Sequence, residues 1–92
     1  FLYLHDIVKQ VQILRLLVKE RAVVRLLKTI GYSEYPTREL LQRLGAYGYG
    51  HKLLLKAQRT GLVQRKVVKN KVYNKLTRDG KKVVKLAKEI GV

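Results

Sequence analysis

Residues 61–80 read GLVQRKVVKNKVYNKLTRDG, and this stretch decides the fold. Leu62 to Val68 and Lys71 to Leu76 are rich in β-branched residues, and Lys69 and Asn70 between them fit a two-residue chain reversal. Such a turn pairs Val67 with Val72 and Val63 with Leu76, which places all four on one face because side chains alternate along a strand. The other face then carries Gln64, Lys66, Val68, Lys71, Tyr73 and Lys75. A hairpin with one face on a core and one basic face in solvent is expected.

The flanks extend this reading in both directions. Upstream, Gly61 closes a helix from His51 to Thr60 that turns Leu53, Leu54 and Ala57 inward. Before it, Thr37 suits an N-cap for a helix Arg38 to Leu44, because its hydroxyl can accept a free backbone N–H; Gly45 ends that helix. Tyr47-Gly48-Tyr49-Gly50 reads as the turn between the two, and Tyr32 to Pro36 as a loop. Downstream, Thr77 caps a last helix with Asp79 in its first turn, an apolar face of Val83, Val84, Leu86, Ala87 and Ile90, and Gly91 as its stop. At the other end, His5 to Ile30 holds no Gly or Pro and repeats apolar residues at steps of three and four, so it is helical; a break near Lys19 or Glu20 is left open.

With these pieces in order, Thr37 to Ile90 resembles the winged helix-turn-helix superfamily. The resemblance rests on Thr-Arg-Glu-Leu-Leu-Gln-Arg-Leu-Gly from Thr37, on the junction Gly61-Leu62-Val63, and on the exit Leu76-Thr77-Arg78-Asp79-Gly80. The order of elements, a long N-terminal helix, two short helices, a β-hairpin wing and a C-terminal helix, is that of such a fold, so an α+β winged helix-turn-helix is expected. One domain is expected over residues 1–92, with 1–19 as a helical extension and 20–92 as the winged-helix core. The likeness further implies that the helix after Gly45 enters the DNA major groove and that the hairpin tip near Lys69 touches backbone or minor groove.

Charge points to the same partner. Lys and Arg number 21 against 6 Asp and Glu, a formal charge of +15, and self-repulsion of that size is best relieved by a polyanion. Between Leu40 and Arg78 stand Arg43, Lys52, Lys56, Arg59, Arg65, Lys66, Lys69, Lys71, Lys75 and Arg78, with no acidic residue. A merely solvated surface mixes both signs, so this segregation reads as a nucleic-acid footprint. Lys52, Lys56 and Arg59 share one side of the third helix at spacings of four and three, Tyr47, Tyr49 and His51 stand at its N-terminal end, and Lys66, Lys69, Lys71, Tyr73 and Lys75 line the wing. Arg38, in the first turn of the preceding helix, completes the candidate DNA contacts. The alternatives are an elbow-packed tyrosine, Tyr47 before Tyr49, and a wing whose lysines only guard a strand edge.

Leu4, Ile7, Val11, Leu14 and Val18 follow a heptad spacing and are the candidate homodimer seam, against the alternative that the domain itself buries them. The sequence supports no enzyme: Ser33 is the only serine, His5 and His51 lie far apart, and no phosphate-binding or paired-carboxylate motif occurs. No metal site and no cofactor are expected, since cysteine is absent and the histidines and carboxylates form no close-spaced cluster. No apolar run reaches membrane-spanning length, and the start Phe1-Leu2-Tyr3-Leu4 lacks a basic region, a cleavage site and an initiator Met, from which a trimmed rather than secreted chain is expected. The absence of Cys, Met and Trp and the wealth of Lys and Arg fit a thermophilic, archaeal source. Composition leaves no trace of the compartment; a cytoplasmic, nucleoid-associated location is expected for a DNA-binding protein. The expected function is double-stranded DNA binding by a transcriptional regulator. The competing readings are a ribosomal-type RNA-binding winged helix, a protein-docking winged helix, and membrane-surface binding by the first helix, whose basic residues scatter around its axis.

Overall fold

The long N-terminal helical stretch does break where the sequence left the question open, and the chain forms two helices there. Helix α1 spans Leu2–Lys19 and α2 spans Arg21–Ile30, divided at Glu20, whose φ of −123° and ψ of 60° leave the helical region. The computed structural model describes residues 2–45 and 47–92, with side chains from Ile7 onward. Ile13, Leu16 and Leu17 of α1 and Val23, Val24, Leu26, Leu27 and Ile30 of α2 all meet the core, on stripes that are rotated relative to one another. Burial of each large aliphatic side chain of this set is worth roughly 1.5–3 kcal/mol.

After α2 the order is β1 (Tyr35–Pro36), α3 (Thr37–Leu44), α4 (Tyr47–Arg59), β2 (Val63–Val68), β3 (Lys71–Leu76) and α5 (Arg78–Ile90). Leu40 of α3, Leu54 and Ala57 of α4, and Val83, Val84 and Ala87 of α5 close over α2, which makes α2 the centre of the domain. Ile90, expected on the apolar face of α5, lies in its last turn and is exposed.

The three strands form one antiparallel sheet in the order β1-β3-β2. The hairpin register is the expected one, with Val63 opposite Leu76 and Val67 opposite Val72. Lys69 and Asn70 both take positive φ, 48° and 67°, the left-handed pair that a two-residue reversal between twisted strands needs. Val63 and Leu76 are buried, but Val67 is exposed: strands of six residues reach roughly 20 Å and carry the tip past the core.

Two expectations upstream of α3 are corrected. The segment from Tyr32 to Pro36 does not stay a loop to its end, because Tyr35 and Pro36 pair with Asn74 and Tyr73. Thr37 does not cap α3 either: Pro36 holds the cap position with no side-chain bond, and Thr37 is the first helical residue. Its hydroxyl accepts a hydrogen bond from Asn74 Nδ2 at 2.7 Å instead. Asn74 is wholly buried; Nδ2 also donates to the Tyr35 carbonyl at 3.3 Å, and Oδ1 accepts from Gln58 Nε2 at 3.3 Å. One amide thereby ties β3 to β1, to the start of α3 and to the end of α4. A buried amide left without such partners would cost about 1–3 kcal/mol.

The hairpin root is fixed as firmly. Gly61, at φ 77°, turns the chain out of α4, with Gly61 N–H donating to the Gln58 carbonyl and Leu62 N–H to that of Ala57. Thr77 N–H donates to the Leu62 carbonyl at 3.0 Å, and the Thr77 hydroxyl donates to the Gly61 carbonyl at 2.6 Å. The same hydroxyl accepts from Gly80 N–H at 3.2 Å, the expected N-cap of α5. Gly80 sits so close to the root that a Cβ there would overlap the Leu62 carbonyl oxygen.

Candidate nucleic-acid interface

Helix α4 is longer than its sequence suggests, because the Tyr47-Gly48-Tyr49-Gly50 run is its first turn. Glycine and tyrosine are poor helix formers, and packing overrides that preference here. Gly50 is buried where α3 crosses α4; a Cβ there would lie 3.1 Å from Leu41 Cδ2 and 3.5 Å from Leu44 Cδ1. The glycine lets the two helices close. Neither tyrosine is folded into the elbow: Tyr47 and Tyr49 are 55% and 60% exposed, at the free end of the helix.

With Gly50, Leu54 and Ala57 inward, Lys52 and Arg59 point away from the core, and His51 and Lys56 stand on the flanks, all four exposed. Arg38 is exposed in the first turn of α3. On the hairpin, Lys66, Lys69, Lys71 and Lys75 are exposed, and Tyr73 is half-buried beside Pro36 of β1. Apart from Arg38 on α3, the candidate cations lie on α4 and on the ribbon that leaves its end through Gly61.

The acid-free window in the sequence is not wholly acid-free in space. Glu20, at the break between α1 and α2, forms an ion pair with Lys56, and Glu34, just before β1, pairs with Lys66 at 3.0 Å. Both pairs are exposed, where such contacts are worth at most about 1 kcal/mol and a phosphate could displace the carboxylate. Lys52, Arg59, Lys69, Lys71 and Lys75 have no carboxylate partner among the described residues. Asn74 escaped the sequence reading, although its place was marked: it is the polar residue in phase with Val72 and Leu76 on the core face of β3.

The seam residues fall on the outer side of α1. Ile7, Val11, Leu14 and Val18 are exposed, with Val18 at 71%, on the side opposite Ile13, Leu16 and Leu17; the side chain of Leu4 lies outside the described residues. Helix α1 thus has two apolar stripes, and the domain covers only one. No helix among the described residues is long and apolar enough to cross a membrane.

Two solved structures are similar to the chain. AF1382 from Archaeoglobus fulgidus is 20% identical, with 83% of this chain and 89% of that one covered and a TM-score of 0.64. HlyU from Vibrio cholerae N16961 is 22% identical, with 92% and 94% covered and a TM-score of 0.66. No protein-family model matches the chain, and no curated protein matches it in sequence. The 8% of the chain left outside the HlyU alignment is shorter than α1, so the likeness takes in part of that helix. The order of elements, the register of the hairpin and these two neighbours together show a winged helix-turn-helix fold.

Proposed function

We propose that the protein is a transcriptional regulator that binds double-stranded DNA, with α4 in the major groove and the hairpin tip on adjacent backbone. The observation that carries this reading is the set of exposed cations without carboxylate partners, Lys52 and Arg59 on α4 and Lys69, Lys71 and Lys75 on the hairpin. Lysine ammonium groups act as point charges and suit phosphate, whereas Arg59 has the planar fork that can also read a guanine edge. Because lysines dominate, backbone contact outweighs base readout and sequence preference is modest. Tyr47, Tyr49 and His51, exposed at the N-terminal end of α4, supply the base-edge contacts there. The chemistry is binding, not catalysis.

Titration of labelled duplex DNA and duplex RNA of equal length by fluorescence anisotropy, at low and at near-physiological salt, tests this reading. The protein should keep a preference for DNA at the higher salt. Preference for RNA would transfer the function to a ribosomal-type partner, and no binding to either would sink nucleic-acid recognition.

The outer stripe of α1 supports a homodimer. Ile7, Val11, Leu14 and Val18 run along about three turns of α1, roughly 17 Å, and all four are exposed. Two copies meeting there would present two α4 helices to two half-sites of one duplex. Sedimentation equilibrium at micromolar concentration should give twice the mass of the chain, and a monomer would remove the seam.

A further inference from the structure

Helix α2 divides its residues as sharply as α1 does, but with charge on the outside. Val23, Val24, Leu26, Leu27 and Ile30 are buried, while Arg21, Arg25 and Lys28, spaced by four and three, stand exposed on the other side. That side borders a cleft of about 720 Å³, closed by Arg43 from the last turn of α3 and by Gly91 and Val92 beyond α5. Four of its eight lining residues are cations and none is an aspartate or glutamate.

Acids near them in sequence do not compensate them: Glu20 is engaged by Lys56, Glu34 by Lys66, and Glu39, one turn before Arg43 on α3, forms no ion pair with it. Among the described residues, the Arg21 and Arg25 side chains have no ion pair and no hydrogen bond. Lys28 donates to a Val92 main-chain oxygen at 2.8 Å, and Arg43 makes a long contact of 3.4 Å to the Tyr35 hydroxyl, a neutral group that leaves its charge uncancelled. Three of the four cations are arginines, whose planar forks bind phosphate oxygens in pairs, and a concave wall lets several forks converge on one anion. No residue of α4 or of the hairpin lines the cleft.

We propose that this cleft binds a second stretch of nucleic-acid backbone, separate from the stretch held by α4 and the hairpin. The identity of the polyanion rests on the nucleic-acid reading above; the place and the chemistry rest on the cleft. The phosphates come either from the flank of the same duplex or from another duplex, and in both cases the protein holds two segments at once. Its role then includes folding or bridging DNA.

The test is the double variant Arg21→Gln and Arg25→Gln, which keeps good helix formers at two exposed positions and removes two forks. Wild type and variant are compared on a short duplex that spans one α4 contact, on a duplex several turns longer, and in the capture of a free labelled duplex by a bead-bound one. On the short duplex the two proteins should agree. If the second stretch is a flank, the variant loses affinity on the long duplex, and its salt slope falls by about 1.8, from roughly 0.9 for each lost phosphate contact. If it is another duplex, wild type captures free DNA and the variant captures several-fold less. Variant and wild type alike in all three assays would overturn the cleft and leave α4 intact, and this includes capture through the two α4 helices of a dimer. A wild type that binds no duplex would overturn both.

Discussion

The root and the tip of the hairpin are built from the same two strands and answer to different demands. At the root, Val63 and Leu76 are buried, Thr77 bonds to both Gly61 and Leu62, and Gly80 leaves no room for a side chain. At the tip, Val67 is exposed, Lys69 and Lys71 face solvent, and Lys69 takes a left-handed conformation that Gly, Asn or Asp would hold more easily. The root is chosen for the fold. The tip keeps a lysine where the turn alone would favour another residue, and under the proposed function that lysine serves charge at the cost of backbone ease.

Substitutions at the two ends should therefore separate stability from binding. The largest effect is expected from Gly80→Ala, where the new methyl meets a backbone carbonyl that cannot step aside. Overpacking of this kind costs about 3 kcal/mol, partly offset by roughly 1 kcal/mol of helix propensity. A fall in thermal midpoint of about 10 °C or more should follow in circular dichroism, since each kcal/mol shifts a domain of this size by about 4–8 °C. An unchanged midpoint would show that the root is looser than its contacts imply.

A smaller and opposite effect is expected from Lys69→Asn. Asparagine relieves the left-handed strain and should raise stability by up to about 1 kcal/mol. Loss of the ammonium group should at the same time weaken duplex binding severalfold. Stability and affinity that rise together would place the tip outside the interface and erase the contrast.

The sequence made the root legible and left much around it hidden, for physical reasons. Strand alternation and a two-residue reversal determine register locally, so Val63 to Leu76 could be paired without a structure, and Thr77 followed by Asp79 marked the start of α5 for the same local reason. What failed was non-local. Glycines argued against a helix at Tyr47 to Gly50, but Gly50 is there because Leu41 and Leu44 come close. Thr37 looked like a cap until Asn74, far along the chain, claimed its hydroxyl. The candidate interface was readable as a charge pattern, yet its neutralised members, Lys56 and Lys66, became visible only when folding brought Glu20 and Glu34 beside them. The cationic cleft on α2 was unreadable, since it needs the ends of α3 and α5 as walls.

The most direct test of the central claim is the salt dependence of duplex binding by the variant Lys52→Ala and Arg59→Ala, compared with wild type. Both side chains point away from the core on α4 and neither has a carboxylate partner among the described residues, so the fold should be unaffected. Each lost phosphate contact lowers the slope of log affinity against log salt by roughly 0.9, and the variant should be shallower by about 1.8 with affinity reduced at least tenfold at low salt. An unchanged slope and affinity would contradict the account and take α4 out of the interface.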